Sequence, residues 1–89
     1  MELRIDFLKL PQNKTLTDMK AELDAVLEED GWLLGSGQNG EAGFVELELE
    51  DEKMNPKYGI MAVKNYLQKA GFDGETTMEL NGAVVGIFE

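Results

Sequence analysis

The chain contains no cysteine and no histidine. Without cysteine there is no disulfide framework, no thiolate nucleophile and no cysteine-based zinc or iron–sulfur site. Without histidine the commonest general base and metal ligand are gone, together with every Ser-His or Cys-His device. Cations are scarce as well. Eight Lys and Arg face eighteen Asp and Glu, a net charge of −10. A surface of that sign repels nucleic-acid phosphates and anionic membranes and attracts basic partners. No run approaches the roughly 20 apolar residues that a membrane span needs. The opening Met1-Glu2-Leu3-Arg4-Ile5-Asp6 alternates charged and apolar residues, unlike the basic-then-apolar plan of a signal peptide. The expectation is a cytoplasmic protein that contacts neither nucleic acid directly nor a membrane.

The 89 residues leave room for one domain, residues 1–89. At 43% hydrophobic, the chain has enough apolar side chains to pack a core. Leu3, Ile5 and Phe7 alternate with Glu2, Arg4 and Asp6, the period-two signature of a strand with one apolar face. Pro11-Gln12-Asn13 ends it. Thr15 or Thr17 offers an N-cap, and Leu16, Met19, Leu23, Val26 and Leu27 follow at helical spacing. Gly31 is placed to close that helix. Trp32 to Ser36 reads as a short strand. Phe44 to Glu50 alternates cleanly, with Val45, Leu47 and Leu49 on one side and Glu46, Glu48 and Glu50 on the other. Asn55-Pro56 opens a second helix, with cap and first-turn proline in order. Its buried stripe is Ile60, Val63, Leu67 and Ala70, broadened by Tyr58, Met61, Ala62 and Tyr66. Gly71-Phe72 terminates it. Thr76–Leu80 and Ala83–Phe88 flank Asn81-Gly82, the strongest short hairpin signal.

The resulting order is β-α-β-β-α-β with one more strand. Its first six elements resemble the ferredoxin-like split β-α-β arrangement. That resemblance implies an α+β fold: an antiparallel sheet with two helices on one face, an open opposite face, and here an added C-terminal hairpin strand.

Gly35-Ser36-Gly37-Gln38-Asn39-Gly40 fits G-x-G-x-x-G letter for letter. The dinucleotide fingerprint needs those glycines to join a strand to a helix, whose N-terminal N–H groups hold the pyrophosphate. Here the segment leads into a period-two run, and no Lys or Arg lies between Lys20 and Lys53. The expectation is no nucleotide, and a mobile glycine-rich loop from Gly35 to Gly43 between adjacent strands.

Carboxylates are the remaining chemistry. Glu46, Glu48 and Glu50 repeat along one strand at about 6.8 Å, the wrong topology for two acids flanking one bond. Glu28-Glu29-Asp30-Gly31 and Glu50-Asp51-Glu52 lack the alternating-ligand pattern of a calcium loop. No catalytic residue, no cofactor and no metal site is expected, so the chain reads as a non-enzyme. The weightiest feature is the partner-binding row Glu46, Glu48, Glu50, Asp51 and Glu52, five acids in seven positions. Carboxylates at fixed spacing imitate a run of phosphates and steer a basic surface inward. In composition the chain resembles bacterial or phage immunity and anti-defence proteins, which are small and acidic. That implies an inhibitor of a basic, nucleic-acid-handling partner such as a nuclease. The alternative is a regulatory or sensor domain that dimerises through its sheet or C-terminal hairpin and binds a small ligand. Trp32 is read as a core or edge anchor, and Met19, Met54, Met61 and Met78 as gap-fillers. Val84 and Phe88 face away from Met78 and Val85, as an apolar spot suited to self-association or docking.

Overall fold

The computed structural model describes residues 1–52 and 55–88; Met54 lies outside them. The elements are β1 (Glu2–Phe7), α1 (Leu16–Leu27), β2 (Gly31–Asn39), β3 (Ala42–Leu49), α2 (Pro56–Ala70), β4 (Thr77–Leu80) and β5 (Ala83–Gly86). The strands form one sheet in the order β2-β3-β1-β4-β5, and every neighbouring pair is antiparallel. The protein is therefore α+β, with a five-stranded antiparallel sheet and two helices. β3 lies between β1 and β2, and β1 lies between β3 and β4, so each helix joins two parallel strands that have one strand interposed.

Period two on the strands decides what is covered. Leu3, Ile5 and Phe7 of β1, Val45, Leu47 and Leu49 of β3 and Met78 of β4 are all buried. They form one cluster with Met19, Leu23 and Leu27 of α1, with Val63 and Leu67 of α2, and with Phe72 and Ile87. Each such side chain contributes about 1.5–3 kcal/mol on leaving water. Both helices thus cover the same side. The alternate strand residues, Glu2, Arg4, Asp6, Glu46, Glu48 and Glu79, face the other way. Tyr58 and Met61, expected to widen the buried stripe of α2, are instead 65% and 50% exposed. The helix buries a narrower stripe of Gly59, Val63 and Leu67. Gly59 lets it sit close, since a Cβ there would stand 3.0 Å from Leu49 Cδ2.

The helix ends use local chemistry. Thr15 is the N-cap of α1: its hydroxyl accepts from the Asp18 N–H at 3.1 Å, and the Asp18 carboxylate accepts from the Thr15 N–H at 3.0 Å. This reciprocal capping box holds the Asp18 carboxyl below its ordinary pKa. Asn55 caps α2 by accepting from the Lys57 N–H at 3.0 Å. Gly71, at φ +97°, ends α2, and the Phe72 N–H reaches back to the Leu67 carbonyl at 3.1 Å. The end of α1 departs from expectation. Glu28, not Gly31, carries the positive φ of 50°, and its N–H donates to the Asp24 carbonyl. Gly31 is already the first residue of β2, where a Cβ would meet the Glu48 carbonyl at 2.5 Å.

The glycine-rich stretch is also not a loop. Gly35 to Asn39 continue β2, paired with Glu46 back to Ala42. Only Gly40 and Glu41 form the turn, and Gly40 takes φ +65° at its first central position. Glycines carry no hydropathy to alternate, so the strand was silent in the sequence. β3, with its strong alternation, dictates the pairing. The second hairpin turns at Asn81 and Gly82, both at positive φ, as a type I′ turn requires.

A polar cluster ties α1 to α2. Glu22 accepts from Lys14 Nζ and from the Tyr66 hydroxyl, the latter at 2.6 Å. The Lys14 hydrogen bond, seconded by Tyr66, holds the Glu22 carboxyl below its usual range. Burial, and then the bond to Glu22, raises the Tyr66 phenol well above 10.0. Among the described residues no helix is long and apolar enough to cross a membrane.

Candidate functional site

The open face of the sheet is ordered by strand register. Glu48 stands opposite Glu2 on β1 and Trp32 on β2. One row crosses the whole sheet: Gly35, Glu46, Arg4, Glu79 and Val84. The next holds Gly37, Phe44, Asp6, Thr77 and Gly86. The inner three strands therefore present five carboxylates, Glu2, Asp6, Glu46, Glu48 and Glu79, with Arg4 as their one side-chain cation.

Arg4 sits between Glu46 and Glu79 in register but pairs with neither. Its Nε donates to both Asp6 carboxylate oxygens, at 3.1 and 3.3 Å. Its guanidinium carbon lies 4.3 Å from the centroid of the Phe44 ring. The ring supplies a cation–π shelf, and Asp6, two residues along on the same face, supplies the counter-charge. Phe44 itself leans over Gly37 of β2, where a Cβ would come within 2.7 Å of the ring. With Arg4 committed to Asp6, Glu2, Glu46 and Glu79 make no ion pair among the described residues.

The predicted acidic row divides in two. Glu46 and Glu48 lie on the open face, as their alternation requires. β3 stops at Leu49, so Glu50, Asp51 and Glu52 leave the ladder and curl past its end. The Glu50 N–H donates to the Asp30 carbonyl at 2.7 Å, and the Glu50 carboxylate accepts from the Glu52 N–H at 2.9 Å. These three line a shallow hollow with Met1, Trp32 and Glu48. The row is partly neutralised there. The Met1 ammonium donates to Glu48, to the Leu49 carbonyl at 3.0 Å and to Asp51 at 3.2 Å. That bond to Glu48, against the opposing pull of burial, raises the ammonium pKa. It also relieves the facing carboxylates of Glu2 and Glu48, which would otherwise repel across the strands. Glu79 is the acid that the row omitted. Its signal was the alternation in Thr77-Met78-Glu79-Leu80, which sets it opposite to buried Met78.

Two depressions mark this face. One of about 220 Å³ is lined by Glu2, Arg4, Glu46, Glu79, Asn81 and Gly82. A wider one, about 460 Å³, lies beside the β2–β3 hairpin, bounded by Arg4, Asp6, Gln38, Asn39 and Phe44. Among the described residues no group of three or more acidic side chains is placed to hold a metal ion. The carboxylates are spread over a surface rather than converging on a point, and what such a spread does is shape an electrostatic field.

The margins of the face are of opposite character. β2 and β5, the two edge strands, carry no charged side chain. Trp32 and Leu34 of β2 are each 49% exposed, and Val84 and Phe88 at the other edge are 60% and 62% exposed. Edge strands are ordinarily blunted by charge or proline; here the charge is central and the edges are apolar. No family model matches the chain, and searches of the curated proteins and of the solved structures return no match.

Proposed function

We propose that this protein is a small non-enzymatic binding protein whose open sheet face captures a basic partner and blocks it. The partner class is a nucleic-acid-handling protein, such as a nuclease, whose own phosphate-binding surface is cationic. The observation that carries the reading is the set of carboxylates Glu2, Glu46 and Glu79, without an ion-pair partner among the described residues and set at strand spacing on a hydrogen-bonded ladder. Backbone hydrogen bonds fix the strands that carry them before a partner arrives, so binding has only the side chains to order. The fold reading beneath it is the ferredoxin-like one, with β5 added at one edge. It is supported by the strand order and by the interposed strand in each β-α-β unit. A family of immunity or anti-defence type fits the same electrostatics.

The test compares the protein with its Glu2→Gln/Glu46→Gln/Glu79→Gln variant. A genuine partner is retained by the first and lost by the second. It is released at about 1 M salt, where the screening length falls to about 3 Å. It also loses nuclease activity when an equimolar amount of the protein is added. Retention of the same proteins by the variant refutes the reading. A sensor domain is the second reading, favoured by the depression beside Phe44. It predicts a dimer and a ligand-dependent rise in melting temperature.

A further inference from the structure

We infer that the open face receives a basic amphipathic α-helix laid across the strands, its cations over the inner strands and its two apolar ends against Trp32 at one edge and Val84 at the other. This rests on the capture reading above and narrows it to one shape of partner. Two observations carry it together. The carboxylates without an ion-pair partner among the described residues include Glu46 and Glu79 on inner strands, while both edge strands are uncharged and carry exposed apolar side chains, Trp32 and Leu34 on one and Val84 on the other. A polycation without apolar groups would leave Trp32 and Val84 unused, and a purely apolar partner would strand Glu46 and Glu79 without counter-charge.

The dimensions select a helix. Five strands at about 4.8 Å spacing place β2 and β5 about 19 Å apart. Trp32 lies in the row of Glu48, and Val84 in the row of Glu46 and Glu79. That one-row offset makes the span about 20 Å. A helix of about 14 residues covers that distance at 1.5 Å per residue. Lysines three and four apart on its lower face then stand above the carboxylates. An extended segment would also reach, but crossing the strands it would leave its backbone N–H and C=O groups unpaired above side chains. A helix satisfies its own.

Trp32 is the chain's one tryptophan, so its emission reports on the site directly. Three synthetic helical peptides of about 18 residues, a length that spans the sheet, make the probe set. The first has a lysine stripe with leucines at both ends of the same face. The second replaces those leucines by alanine. The third keeps the first's composition but scatters the lysines around the helix. The first is expected to bind at least about 10-fold tighter than either other and to shift Trp32 emission. By calorimetry, Trp32→Ser or Val84→Ser brings it down to the level of the second, and the triple Gln variant loses all three. Equal binding of the three peptides overturns the helix inference and leaves electrostatic capture standing. No binding of any peptide at low salt overturns both. A Trp32 shift on concentrating the protein alone, abolished by Lys57→Glu, gives the face to α2 of a second copy and overturns the inference as well.

Discussion

Leu47 and Glu46 are neighbours on one strand and belong to different problems. Leu47 is buried in the core cluster to which both helices contribute. Glu46 stands on the open side beside Arg4. The covered side is apolar, close-packed and capped at its helix ends. The open side spreads carboxylates across three strands, with one guanidinium that is already engaged. On the capture reading proposed above, stability and recognition belong to opposite faces of a single sheet, and alternation along the same strands writes both.

The sharpest way to break this division is to cut into the covered side. Leu47→Ala is expected to cost about 3 kcal/mol in denaturant unfolding, with peptide affinity per folded molecule unchanged. A parallel loss of affinity would mean that the faces are coupled. Tyr66→Phe removes a hydrogen bond between the helices, and about 1 kcal/mol should go with it at neutral pH. Its pH dependence has a definite sign. The Tyr66 phenol is raised in the folded state, so its contribution is complete below the ordinary value of 10.0 and is lost as pH climbs beyond it. The Glu22 carboxyl is lowered, so its contribution is present above 4.5 and fades as pH falls through the folded value. Melting temperature against pH should decline on both limbs, and Tyr66→Phe should flatten the alkaline one. An unchanged alkaline limb would remove Tyr66 from the account. Glu28→Gly should raise stability by a little under 1 kcal/mol, because glycine takes φ +50° without the clash of a Cβ. A loss instead would show that the Glu28 side chain holds the end of α1. Smallest of all on the stability scale, the Glu2→Gln/Glu46→Gln/Glu79→Gln variant should move unfolding by no more than about 0.5 kcal/mol. The same variant should abolish binding of the lysine-stripe peptide, which calorimetry reads directly.

The sequence was most informative where side chains alternate. Leu3–Phe7 and Phe44–Leu49 name the two central strands, both faces and the acids that share one of them. The Asn81-Gly82 turn and the caps at Thr15, Asn55 and Gly71 were equally plain, because each residue type there has one strong local use. It failed where the deciding partner is remote. The tail of β2 is glycine and small polar residues, and only pairing with β3 makes it a strand. Glu28 takes a conformation that no propensity favours, because the chain must turn there into β2. Alternation puts Arg4 on the same face as Glu46 and Glu79 but is silent on which group it pairs with, and Phe44 and Asp6 claim it. Glu50, Asp51 and Glu52 read as more of the same row, but the strand ends at Leu49.

One small residue has an influence out of proportion to its size. Gly37 gives the Phe44 ring a place to lie, and the ring in turn holds the guanidinium of Arg4 away from its two flanking acids. A methyl group at that position would tilt the platform and free the arginine to swing onto Glu46 or Glu79, uncovering Asp6 and moving the centre of the negative patch. The negative patch thus owes its placement, though not its total charge, to a hydrogen atom two strands away from the arginine, and a search for charge alone would never have pointed to it.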